Sequence, residues 1–317
     1  MQTVVEIVLP VYGLALLGYG AARLGYFSDR AAEGLAHFVF DFALPFMLLR
    51  MFARADLPDQ VPWGLLGSFY LPAFALYFSG MALAGPLLSL DSMERVIAGL
   101  GCAFGNLALL GLPVALRTFD EQGLIPYFIV LSVHGLLFLT VTTVLLEFGR
   151  SRDPSFTQAL RRLLVALVRN PFILALAGGL VLNRAGLALP GAIDQIAAYM
   201  QQAVAPCALF SLGASLARYR IAGALRGSLA IVCFKNLLLP LSVSYCAMYV
   251  FGLGAVWTAV LTLMASQPTG VIIYLFSERY ETARELATTT VFLSALVSLG
   301  TVPVLLYWFQ VRGVIAG

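Results

Sequence analysis

The chain has 317 residues, 61% of them hydrophobic and 11% charged, with a mean hydropathy of +0.92. A soluble domain carries charge on about a quarter of its residues, so this composition excludes a water-soluble enzyme and places the chain in a lipid bilayer. The net charge of +3 is too small and scattered for a nucleic-acid partner, and Cys102, Cys207, Cys233 and Cys246 lack the spacing of a disulfide framework, a metal site or a resident cofactor.

Apolar runs long enough to cross a bilayer, about 18 residues or more, predict ten spans in chain order: 4–25, 31–53, 63–89, 95–116, 124–149, 167–184, 191–217, 226–251, 255–276 and 284–310. No basic residue precedes the first run, and it has the length of a span rather than of a signal core, so it is read as the first helix. The longest polar interval, RSRDPSFTQALRR, falls near the middle of the chain. Shifting the chain by 161 positions superposes Pro10 on Pro171, Gly18 on Gly179, Gly25 on Gly186 and Pro45 on Pro206, and sets Asn106 opposite Gln267 and Phe119 opposite Tyr280. Two halves of five spans each must enter the membrane from opposite sides, because five is odd. The expected organisation is a five-helix repeat at 1–149, a cytoplasmic linker at 150–166 and a second, inverted five-helix repeat at 167–317, a plan common among secondary transporters.

Counting arginines on alternate sides gives Arg23, Arg30, Arg95, Arg150, Arg152, Arg161, Arg162, Arg169, Arg218, Arg220, Arg226, Arg279 and Arg284 on one side. The other side has Arg50, Arg54, Arg117, Arg184 and Arg312. The positive-inside rule then puts the central loop in the cytoplasm and both termini outside.

The fourth and ninth spans carry backbone-breaking residues near mid-depth. In the fourth, Gly105, Asn106, Gly111 and Pro113 cluster; in the ninth, Ser266, Gln267, Pro268, Thr269 and Gly270. A broken helix exposes carbonyls on one side and N–H groups on the other, at several kcal/mol for each group left unsatisfied in hydrocarbon. Pro113 and Pro268 are expected to start second half-helices whose positive ends face a cavity, and Asn106 and Gln267 can donate to a carboxylate. The competing reading is a proline kink with an amide satisfying the freed backbone.

FALPFMLLRMF at 42–52, GNLALLGLPVAL at 105–116, NPFILALAGGLVL at 170–182, APCALFSLGASLA at 205–217, FKNLLLPL at 234–241 and ASQPTGVIIYLFSERY at 265–280 together resemble the auxin efflux carrier family, including its bacterial malonate-permease-like members. The resemblance covers the whole chain. It implies an all-α integral membrane protein of ten transmembrane helices in two inverted repeats, with crossed, broken helices 4 and 9 and a substrate site at the crossing. It also implies a scaffold of spans 1, 2, 6 and 7, a moving unit of spans 3–5 and 8–10, and a homodimer. Asn106 and Pro113 match the family's first crossover; Pro268 and Thr269 match the second. Gln267 departs from the small or Met residue usual before that proline, and Asp41 stands where an Asn or aromatic residue is more common.

Ionisable groups inside a span are expensive and normally face a cavity or a partner. Lys235, beside Asn236 and ahead of Pro240, is read either as part of an anion site or as a structural hydrogen-bonding group. Asp41, one turn before Pro45, is read as a proton carrier or as a cap on the carbonyls of that bend. His134 is a proton-relay or packing residue, Glu147 a partner for a nearby arginine, and His37 an interfacial residue.

No HExxH, aspartate-rich or nucleophile-and-histidine pattern supports a membrane enzyme. The expected function is a secondary transporter of the inner (plasma) membrane moving a small organic anion, a mono- or dicarboxylate, by alternating access. Proton and sodium coupling both remain open. The alternatives are a sodium-coupled carrier of the bile-acid type and a non-transporting membrane sensor.

Overall fold

A computed structural model of the chain describes residues 2–54, 62–119, 121–150, 171–217 and 223–315. The described residues are helical throughout, with a single isolated β-bridge and no strands. In chain order the helices are α1 (Gln2–Arg23), α2 (Asp29–Arg54), α3 (Trp63–Leu88), α4 (Ser92–Ala103), α5 (Leu107–Thr118) and α6 (Glu121–Arg150). They continue as α7 (Pro171–Arg184), α8 (Gly191–Leu216), α9 (Leu225–Val250), α10 (Ala255–Ser266), α11 (Ile272–Arg279) and α12 (Arg284–Val311). Five stretches, in α2, α3, α6, α9 and α12, are long and apolar enough to cross a membrane. The expected linker at 150–166 lies, apart from Arg150, outside the described residues.

Local chemistry sets the boundaries. Ser28 caps α2 by accepting from the Ala31 N–H at 3.3 Å. Asp91 and Glu94 form a reciprocal capping box at the start of α4, satisfying N–H groups that the first turn leaves free. After α1 the chain turns through Gly25 at φ +80°, and after α7 through Gly186 at φ +65°. Both turns use the same bonds 161 positions apart: Gly25 N–H to Ala22 and Tyr26 N–H to Ala21 in one, Gly186 N–H to Asn183 and Leu187 N–H to Leu182 in the other.

The same offset recurs in packing. α1 lies along α8, and α7 lies along α2. A Cβ on Gly18 would collide with the Phe210 carbonyl, and one on Gly179 would stand 2.8 Å from the carbonyl of Leu49, which is 161 positions before Phe210. Small residues at these contacts let backbones approach, which is how helices associate where lipid removes the hydrophobic drive. At one end of this group Arg50 and Arg54 hold Asp194 at 3.0 and 2.7 Å and tie α2 to α8.

Many outward-facing side chains are apolar, including Leu9, Leu71, Leu241, Val304 and Val311, each more than 60% exposed. A soluble protein does not tolerate so continuous an apolar surface, whereas a bilayer solvates it.

Among the described residues four π-helical turns occur, and three of them end two residues before a proline: Val39–Ala43 before Pro45, Leu107–Gly111 before Pro113, and Phe234–Leu238 before Pro240; the fourth, Cys246–Val250, closes α9 with no proline after it. A proline lacks the N–H for the i→i−4 bond and its ring crowds that carbonyl; the wider turn relieves both. This corrects the expectation that Pro113 starts a half-helix. The break falls at 104–106, so α5 begins six residues before Pro113. Pro268 likewise lies in an extended segment, and α11 starts only at Ile272.

Candidate functional site

The two broken stretches meet at the centre of the fold. α4 ends at Ala103 and α10 at Ser266, and the extended residues that follow run antiparallel, with Gly105 bridged to Thr269. Asn106 N–H donates to the Pro268 carbonyl at 2.8 Å, and Gly270 N–H to the Phe104 carbonyl at 3.0 Å. Glycine at 105 and 270 permits the approach, since a Cβ on Gly270 would stand 2.6 Å from the Phe104 ring. The pairing is antiparallel, so Asn106 faces Pro268 and Phe104 faces Gly270 on either side of the Gly105–Thr269 bridge. Four helix ends converge here. The N-termini of α5 and α11 bring partial positive charge, and the C-termini of α4 and α10 bring partial negative charge.

Buried polar side chains satisfy the freed backbone. The Ser294 hydroxyl accepts from Thr269 N–H at 2.8 Å and donates to Asn236 Oδ1 at 2.6 Å, while Asn236 Nδ2 donates to the Ser294 carbonyl at 3.3 Å. The Thr269 hydroxyl donates to the Gly101 carbonyl near the end of α4. Lys235 Nζ donates to the Ala265 and Gln267 carbonyls at 2.6 Å each, and Gln267 Nε2 donates to the Leu263 carbonyl at 3.0 Å. Tyr127, from α6, donates to the Leu107 carbonyl at 2.6 Å.

Two cavities flank the crossing. One, of about 290 Å³, lies among α1, α8 and α12 and is almost wholly apolar apart from Tyr12, Tyr19, Asn106, Thr269 and Ser298. The other, of about 710 Å³, runs between α2, α6 and α11 from the crossing towards Glu33, Glu278 and Arg284 at the helix ends. Asn106 and Val271 line both. Asn106 caps α5 by accepting from Leu109 N–H at 3.3 Å, which leaves its amide NH2 without an acceptor among the described residues. It is the polar side chain common to the two spaces.

The expected site residues therefore separate. Asn106, Pro268 and Thr269 line a cavity; Lys235, Asn236 and Gln267 are buried behind the crossing and hold its backbone; Pro113 is buried within α5 and lines neither cavity. His134 lies in the wall of the larger cavity, 2% exposed, stacked on Phe104 at 4.7 Å and beside Phe138 at 5.0 Å. Neither ring nitrogen has a hydrogen-bond partner among the described residues. Asp41 is turned away from both cavities, half exposed, with His37 Nδ1 at 3.4 Å. The Glu147 side chain lies outside the described residues.

Ser294 and Tyr127 were not among the expected residues. Ser294 had a signal: Thr290, Ser294 and Ser298 form a stripe of hydroxyls at four-residue spacing in an otherwise apolar run, and all three are buried. Tyr127 had none.

A family model described as "Membrane transport protein" matches residues 3–306. A Rhizobium meliloti protein named "Putative malonate transporter" is 27% identical over 317 residues, covering 97% of this chain and 96% of its own. A Methanothermobacter thermautotrophicus protein named "Uncharacterized transporter" is 24% identical over 298 residues, covering 94% and 96%.

Proposed function

Because the chain belongs to this membrane transport protein family, the auxin efflux carriers, and is a transporter rather than an enzyme, we propose that it is a secondary carrier for a small mono- or dicarboxylate, working by alternating access. The single observation that carries this reading is Asn106, whose unpartnered amide stands at the crossing between two cavities.

A carboxylate at Asn106 would meet that amide and the positive ends of α5 and α11, an arrangement in which backbone supplies charge without a basic side chain. Thr269 and Pro268 shape the same wall. The name of the Rhizobium meliloti relative makes malonate the first substrate to test. In this reading α4 with α5, and α10 with α11, each make one interrupted span, giving ten spans in inverted repeats at 1–149 and 167–317. The recurring turns and glycine contacts 161 positions apart support that plan. The larger cavity would open to the arginine-rich, cytoplasmic side of the inner membrane, and α1, α2, α7 and α8 would form the scaffold of a homodimer. His134, in the wall of that cavity, is the better placed of the two proton candidates, since Asp41 faces neither space.

Uptake of radiolabelled malonate into proteoliposomes tests the proposal. Asn106→Ala should weaken apparent affinity by about 5- to 150-fold, the loss of one hydrogen bond to a charged group at about 1–3 kcal/mol. Absence of substrate-dependent flux for malonate and other short carboxylates would remove the carrier reading. Flux with wild-type affinity in Asn106→Ala would keep the carrier and remove the site.

A further inference from the structure

The unwinding of α10 leaves carbonyls at its negative end with no N–H to accept from, in the most buried part of the molecule. In transporters with interrupted helices, such carbonyls and helix C-termini are the groups that coordinate a sodium ion. Here Lys235 Nζ stands among them, 2.6 Å from the Ala265 carbonyl and 2.6 Å from the Gln267 carbonyl. Those distances are in the short range of charge-assisted hydrogen bonds and close to the oxygen distances of a hard cation, about 2.3–2.6 Å for calcium. Lys235 is fully buried, and no carboxylate pairs with it among the described residues.

The side chain is delivered by a specific device. Lys235 lies within the π-helical turn Phe234–Leu238 that Pro240 imposes on α9. Above it is Gly105, where a Cβ would already stand 3.5 Å from Nζ, so the first crossing segment roofs the ammonium. The other helix end at the crossing, that of α4, is closed by the neutral Thr269 hydroxyl on the Gly101 carbonyl. The charge is thus specific to α10.

We propose that Lys235 is a tethered cation: its ammonium fills the carbonyl site at the unwound end of α10, so the crossing closes without a sodium ion at this position. Binding of a separate ion would have to be paid for in each cycle by its dehydration and release, whereas a covalently attached side chain is always in place. A crossing of this kind needs no sodium to be ordered, and a sodium ion cannot enter while Lys235 occupies the carbonyls. The inference stands on the crossing geometry and not on the identity of the transported anion.

The test uses thermal unfolding of the full chain in detergent, in sodium, propylammonium or choline chloride at equal ionic strength. Propylammonium is the fragment that Lys235→Ala removes, and choline, a quaternary ammonium, has no N–H to donate to the carbonyls. The wild-type Tm should be the same in sodium and choline. Lys235→Ala should have a lower Tm in choline and recover saturably with propylammonium or sodium. A wild-type Tm raised saturably by sodium over choline, a Lys235→Ala Tm equal to wild type, or a lowered Tm that neither cation restores would each overturn the proposal. If Lys235→Ala yields no folded protein, Lys235→Gln takes its place, since its neutral amide can still donate to a carbonyl; a lowered Tm there supports a need for charge, and a wild-type Tm shows that charge is not needed and overturns the proposal.

Discussion

Ser294→Ala is the sharpest single perturbation of the crossing. One hydroxyl accepts from Thr269 N–H at 2.8 Å and donates to Asn236 Oδ1 at 2.6 Å, and Thr269 is the residue bridged to Gly105. Removing it strands a backbone N–H and a side-chain oxygen, both in residues no more than 2% exposed. A buried polar group left unpaired costs about 1–3 kcal/mol. Interhelical side-chain bonds inside membranes sit low in that range, because the unfolded chain also finds partners there. The expected loss for the two groups together is therefore about 2–3 kcal/mol. The assay is thermal unfolding of the purified protein beside uptake in proteoliposomes. Ser294→Ala should lower Tm and, at a temperature where the protein remains folded, lower uptake, because the Thr269 wall loosens. Ser294→Thr keeps the hydroxyl and should lose less of both. A Ser294→Ala protein with wild-type Tm and uptake would refute the view that this network holds the crossing.

Three further outcomes are expected. His134→Leu removes two buried, unpartnered nitrogens from an aromatic cage, so stability should hold or rise while uptake falls; unchanged uptake would confine the ring to packing. In Gly213→Ala a Cβ would collide with the Ala15 carbonyl and force α1 from α8, lowering stability by about 1–3 kcal/mol in thermal unfolding; a wild-type Tm would show that this contact is not tight. Ser155→Cys, with the four native cysteines replaced, should resist an impermeant thiol reagent in intact cells, and rapid labelling would reverse the proposed orientation.

Much of the crossing was written in the chain itself. Gly105, Asn106 and Pro268 interrupt apolar runs that have no need of them for packing in lipid, and a break at that depth requires polar compensation. The 161-residue offset was equally legible, since Gly25 and Gly186 serve identical left-handed turns and Gly18 and Gly179 face matching backbones. Such residues report backbone geometry directly, which is why composition and spacing are enough to find them.

Direction and partnership were decided by the fold. Asp41, His134 and Lys235 look alike in sequence, each a lone titratable group in an apolar run, yet one faces outward, one lies in a cavity wall and one holds two carbonyls. Which face a side chain takes depends on helical phase, and here that phase is reset by π turns whose extra residue rotates everything beyond them. The same turns moved the start of α5 away from Pro113. The pairing at the crossing is also tertiary, because it is set by two extended segments meeting across the molecule, each choosing its partner only when both helices have been packed.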